Sequence, residues 1–121
     1  MYDHIGLKVK DLDASVRFYQ AALAPLGLVL CSRDESGAGL GPAGEPALWL
    51  YPDGGSHAAA HVAFRARDRE AVDRFHASGL EAGGRDNGAA GVRADYSPTY
   101  YAAFVIDPDG YRVEAYYGSA V

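Results

Sequence analysis

The sequence has one cysteine, Cys31, so no disulfide can form within the chain. Cys31 reads as a small apolar strand residue, and a reducing cytosol is the expected compartment. Basic runs are missing and the net charge is −5. That combination argues against nucleic acid and anionic membrane as partners. No apolar run approaches the roughly 20 residues of a membrane span. Met1 leads directly into Tyr2-Asp3-His4, without a signal-peptide pattern. Nucleophile chemistry also lacks its marks, since there is no Ser–His–Asp order and no nucleophile elbow. Gly39, Gly41 and Gly44 have the spacing of a dinucleotide motif. Pro42 interrupts it, however, and a strand follows where a helix should begin, so no helix N-terminus awaits a phosphate.

What is present suits one domain. A chain of 121 residues, nearly half of them apolar, can bury a real core. Tyr2 to Val9 reads as a strand, with Ile5, Leu7 and Val9 on one face. Asp11 caps a helix running to about Ala24, and Leu12, Val16, Tyr19 and Leu23 form its apolar stripe. Pro25 and Gly27 end it. Strands follow over Leu26 to Arg33, Gly39 to Gly41 and Ala47 to Tyr51. Then Ala60 to Phe64 reads as a strand, and Asp68 caps a second helix to about Leu80. Arg85 to Pro98 shows no clear period and is expected to be a short strand plus a long loop, with Asp86-Asn87-Gly88 as a turn signal. Tyr100 to Ile106 and Gly110 to Tyr117 are strands, joined by the turn Asp107-Pro108-Asp109-Gly110.

The second half repeats the first. His4 and His61 are 57 residues apart, and the same offset pairs Ile5 with Val62, Leu7 with Phe64, Asp11 with Asp68 and Phe18 with Phe75. Leu48-Trp49-Leu50 lies over Val113-Glu114-Ala115. The expected fold is therefore α+β: two βαβββ modules, about 1–55 and about 56–121, forming curved mixed sheets around a cleft with the helices outside.

Superposed, the halves put His4, His61 and Glu114 in equivalent places, with Trp49 at the fourth. Strand alternation turns all four away from the helices. Two imidazoles and a carboxylate, with coordination sites left open, suit a divalent metal such as Zn²⁺, Ni²⁺, Mn²⁺ or Fe²⁺. The competing readings are ordinary half-buried histidines, and an ion pair of Glu114 with Arg17, Arg74 or Arg93. Trp49 is expected to line a pocket wall, and at least one of Tyr96, Tyr100 and Tyr101 to supply a pocket hydroxyl. His57 and His76 are expected to be exposed.

At these residues the chain resembles the vicinal oxygen chelate superfamily, which includes glyoxalase I, extradiol dioxygenases, thiol transferases and bleomycin-resistance proteins. The resemblance spans both strand–helix starts, the Asp-Pro-Asp-Gly turn and the glutamate strand. It implies metal ligands at His4, His61 and Glu114, a catalytic Glu114, a small-molecule substrate and a homodimer. Trp49 stands where glyoxalase I has its first glutamate. Leu48-Trp49-Leu50 is similar to a pattern of the fosfomycin-resistance thiol transferases, whose basic, hydroxyl-rich loop is not matched between Arg85 and Tyr100. The function expected is a metal-dependent lyase, isomerase, transferase or dioxygenase, its base a metal-bound hydroxide or a tyrosine. The alternative is a metal-free binding protein of the bleomycin-resistance kind.

Overall fold

The computed structural model describes residues 2–53 and 60–118. The expected boundary between the modules and His57 both lie outside the described residues. Module 1 runs β1 (Ile5–Val9), α1 (Leu12–Leu23), a 3₁₀ turn (Ala24–Leu26), β2 (Val29–Asp34), β3 (Gly37–Gly41) and β4 (Leu48–Pro52). Module 2 runs β5 (His61–Arg65), α2 (Arg69–Glu81), β6 (Arg85–Val92), β7 (Tyr101–Ile106) and β8 (Arg112–Tyr117). Each forms a four-stranded mixed sheet, in the orders β1-β4-β3-β2 and β5-β8-β7-β6. The first strand pairs in parallel with the last, and the other pairs are antiparallel. The duplication extends to register: Ile5 faces Leu48 as Val62 faces Val113.

Local chemistry sets these elements. Asp11 and Asp68 accept the N–H groups of Ala14 and Ala71, capping α1 and α2; each such cap is worth about 1 kcal/mol. The buried face of α1 is Ser15, Val16, Phe18, Tyr19, Ala22 and Leu23. Gly27 ends the following turn in the left-handed region, at φ 82°. Among the described residues, no helix is long and apolar enough to cross a membrane.

One hydrophobic core joins the modules, since Leu7, Phe18, Leu40, Val72, Phe75, Val105 and Val113 belong to one buried cluster. At its centre a Cβ on Gly84 would lie 2.5 Å from the Phe18 ring and 2.6 Å from Val105, so only glycine lets the start of β6 approach this closely.

The turn before β8 fastens the two halves. Asp107 is 2% exposed. It accepts the Tyr19 hydroxyl at 2.5 Å and the N–H groups of Asp109 and Tyr111. Asp109 accepts the Lys10 N–H and the Ser15 hydroxyl, and the Tyr111 hydroxyl donates to the Lys8 carbonyl at 2.7 Å. Burial pushes the Asp107 carboxyl above the usual carboxylate range, outweighing the hydrogen bonds that favour its charge. Burial first, and Asp107 second, push the Tyr19 phenol well up.

Three local expectations change. Arg85 to Val92 is an eight-residue strand, not a short one with a long loop. Asp86-Asn87-Gly88 makes no hairpin turn; it is a bulge in β6, where the register with β7 shifts between Asp86 and Gly88. His76 is only 16% exposed and lies 2.9 Å from Asp86, because α2 packs over β6.

Candidate functional site

Glu114 is the residue the helix-free face of module 2 is built around. It sits mid-strand in β8, in one cross-strand row with Ala63 on β5 and Phe104 on β7. The Val113 and Ala115 side chains turn the other way into the core. Its side chain is 5% exposed, yet among the described residues no arginine pairs with it. One carboxylate oxygen, Oε1, lies 2.8 Å from His61 Nε2. The other, Oε2, accepts the Tyr100 hydroxyl. His61 reaches it diagonally, since it stands opposite Arg112, two residues before Glu114.

The pair is lopsided in its access to solvent. The His61 side chain is 49% exposed, so its ring forms the open rim over a covered carboxylate. A buried carboxylate without a partner would be costly. Here each oxygen has one, and the exposed imidazole is the member a ligand would meet first.

Aromatic rings hold the second partner. Tyr100 stacks on Tyr116 with centroids 4.3 Å apart and planes 28° apart. Tyr96 packs edge-on against Tyr100 at 4.9 Å. Burial first, then the bond to Glu114, push the Tyr100 phenol well up. At neutral pH Tyr100 is therefore a proton donor to Glu114 and a poor general base.

The remaining residues singled out in the sequence lie elsewhere. His4 is 58% exposed and its Nδ1 lies 2.8 Å from Asp3. With Ile5, Leu40, Leu48, Val62 and Phe64 it lines an apolar cavity of about 270 Å³ that neither His61 nor Glu114 borders. Among the described residues, no group of three or more His, Cys, Asp or Glu side chains is placed to share a metal ion. Trp49 lies on the helix-free face of the other sheet, over Gly39, where a Cβ would come within 2.8 Å of its ring. Tyr101 is one residue out of phase with Tyr100. Its hydroxyl donates to Asp73 on α2 at 2.5 Å and Arg69 covers its ring, so it belongs to the helix side of the sheet. Tyr116 shares the face of Glu114 by the alternation of β8 but was not among the expected site residues, because nothing in the sequence shows its stack on Tyr100.

The family model for the Glyoxalase/Bleomycin resistance protein/Dioxygenase superfamily matches residues 2–115. The chain belongs to that superfamily. Among solved structures, a glyoxalase/bleomycin resistance protein from Albidiferax ferrireducens T118 is 26% identical, with a TM-score of 0.85 over 98% of this chain and 99% of that one. A glyoxalase-related enzyme from Fulvimarina pelagi shares the fold at 21% identity and a TM-score of 0.73, covering 94% of this chain and 85% of that one. A variant of glyoxalase I from Zea mays is 26% identical with a TM-score of 0.71; the match covers 95% of this chain and 43% of that one. No curated protein matches. Within the superfamily, this member has two βαβββ modules and a single acid, Glu114, where its repeat places Trp49 in the other half.

Proposed function

We propose that this superfamily member is a metal-dependent enzyme acting on a small oxygen-bearing substrate at the helix-free face of module 2. The observation that carries the reading is the His61–Glu114 contact, 2.8 Å between an open imidazole and a covered carboxylate. The donor set fits a divalent ion: one imidazole nitrogen and one carboxylate oxygen, already side by side, suit Zn²⁺, Ni²⁺, Mn²⁺ or Fe²⁺. A third ligand is needed. In this reading it is His4 of the partner subunit, in a homodimer that pairs module 1 of one copy with module 2 of the other.

A bound ion would supply Lewis-acid polarisation of a substrate oxygen. The chain's own residues do the rest. Tyr100 holds Glu114 Oε2 and so fixes the direction of Oε1. The Tyr116 ring fixes Tyr100. Tyr96 offers a flat face to a substrate, and in the proposed dimer Trp49 of the partner subunit offers another. With Tyr100 held protonated, a substrate proton goes to Glu114 or to solvent. Metal analysis of protein purified without a histidine tag tests the reading. A stoichiometric ion lost in Glu114→Ala supports it, whereas failure to take up any of the four ions at neutral pH overturns it.

A second reading, a metal-free binding protein, is favoured by one observation: both Glu114 oxygens already have protein partners. A ligand-induced rise in melting temperature that survives a chelator would select it.

A further inference from the structure

We propose that Arg93 is an anion subsite on this same face, placed to hold a carboxylate or phosphate group of the substrate. The inference rests on reading the helix-free face of module 2 as the substrate face. Arg93 lies just beyond β6, and its guanidinium sits 5.2 Å above the centre of the Phe104 ring. Phe104 stands directly opposite Glu114, and its ring centre is 6.4 Å from that of His61. The cation thus sits beside Gly88 at the far end of the cross-strand row Gly88–Phe104–Glu114, about two strand spacings, ~10 Å, from the carboxylate.

The sequence of β6 exists to seat it. Gly88-Ala89-Ala90-Gly91 is a run of small residues in a bulged strand, and Ala89 and Ala90 have no register partner on β7. The Ala89 carbonyl accepts Nη2 of Arg93 at 2.6 Å, and the Gly91 carbonyl accepts Nη1 at 3.1 Å. A Cβ on Gly88 or Gly91 would come within 3.2 Å of the guanidinium. Larger residues would push the side chain off the sheet.

Its two hydrogen bonds leave the charge unanswered. Both acceptors are neutral, and among the described residues no carboxylate pairs with Arg93. Among the described arginines only Arg33 and Arg67 pair with a carboxylate, Asp13 and Asp68, so what sets Arg93 apart is its two carbonyl anchors together with its seat over the Phe104 ring. A guanidinium carries five N–H donors, so a planar oxyanion can still be taken by those the carbonyls do not use. A neutral side chain would satisfy the same two carbonyls; a half-buried cation held over an aromatic ring adds charge that an anionic ligand complements. With an anion on Arg93 and a polarised oxygen beside Glu114, the substrate class is a small oxygenated acid or phosphate ester, a few carbon atoms long.

The test is a titration of inorganic phosphate into ¹⁵N-labelled protein, reading the arginine side-chain Nε–Hε signals with a chelator present throughout. One arginine signal should shift saturably. Arg93→Gln should remove that signal and its response. Gly91→Ala keeps the charge but crowds Nη1, and should weaken the binding roughly tenfold; unchanged melting temperatures confirm that both variants fold. Saturable binding in protein that takes up no metal would leave the subsite standing while the metal reading fails. No saturable shift in chelator overturns it, as does equal phosphate affinity in Arg93→Gln. A response that begins only when metal is added assigns the anion to the metal instead, which also overturns the subsite and leaves the metal reading intact.

Discussion

Tyr100 lies flat on Tyr116, two residues beyond Glu114 on the same face of β8, and that stacking aims its hydroxyl at the carboxylate. The contact separates two jobs that a tyrosine near a metal ligand can perform. Tyr100→Phe keeps the stack and removes only the hydroxyl. It should lower divalent-ion affinity about 10- to 100-fold, the usual cost of losing a partner that orients a ligand. Competition against a chromogenic chelator would measure it. An unchanged affinity would show that Tyr100 does not orient Glu114.

The proposed dimer predicts complementation. If His4 of the partner subunit completes the site, His4→Ala and Glu114→Ala chains should each bind metal poorly alone. Unfolded and refolded together, they should regain binding, because one of the two sites in the mixed dimer receives both intact ligands. A site assembled within one chain would show no recovery.

A Cβ added at Gly84 would press on Phe18 and Val105 more closely than real Cβ atoms do. Gly84→Ala should therefore destabilise the chain by about 1–3 kcal/mol through overpacking. Urea unfolding checks it: the midpoint should fall while the slope stays constant.

Asp107 gives a pH dependence of definite sign. Its folded-state pKa is raised, so the folded chain holds the proton more tightly than the unfolded one. The stability it contributes is fully present below the ordinary carboxylate pKa and is lost as pH rises through the elevated folded value. The melting temperature of wild type minus that of Asp107→Asn should be largest in acid and shrink across that window. A difference that grows with pH would contradict the burial argument.

Much of this was legible in the chain because both signals it uses are periodic. The offset of 57 residues carried the fold, and β8 alternation put Glu114 on the face of His61. The length of β6 was hidden for a physical reason. Its Gly and Ala residues leave no apolar alternation to read, and a bulge carries the Asn-Gly signal that elsewhere marks a hairpin. Tyr100 and Tyr101 could not be told apart by residue type. Their parity decides: one meets Glu114, the other Asp73. Glu114 itself was compared with arginines as partners, whereas a histidine and a phenol occupy that role.

The latch around Asp107 is drawn unequally from the two copies: module 2 gives the turn, while module 1 gives Tyr19, Ser15 and the backbone of Lys8 and Lys10. Neither half can therefore be released as a free-standing unit without stranding hydroxyls in its interior. Once fused in this way, the duplicated segments are bound to a common fate. Each is free to diverge at its helix-free face, as tryptophan in one and glutamate in the other illustrate, for as long as that shared fastening endures.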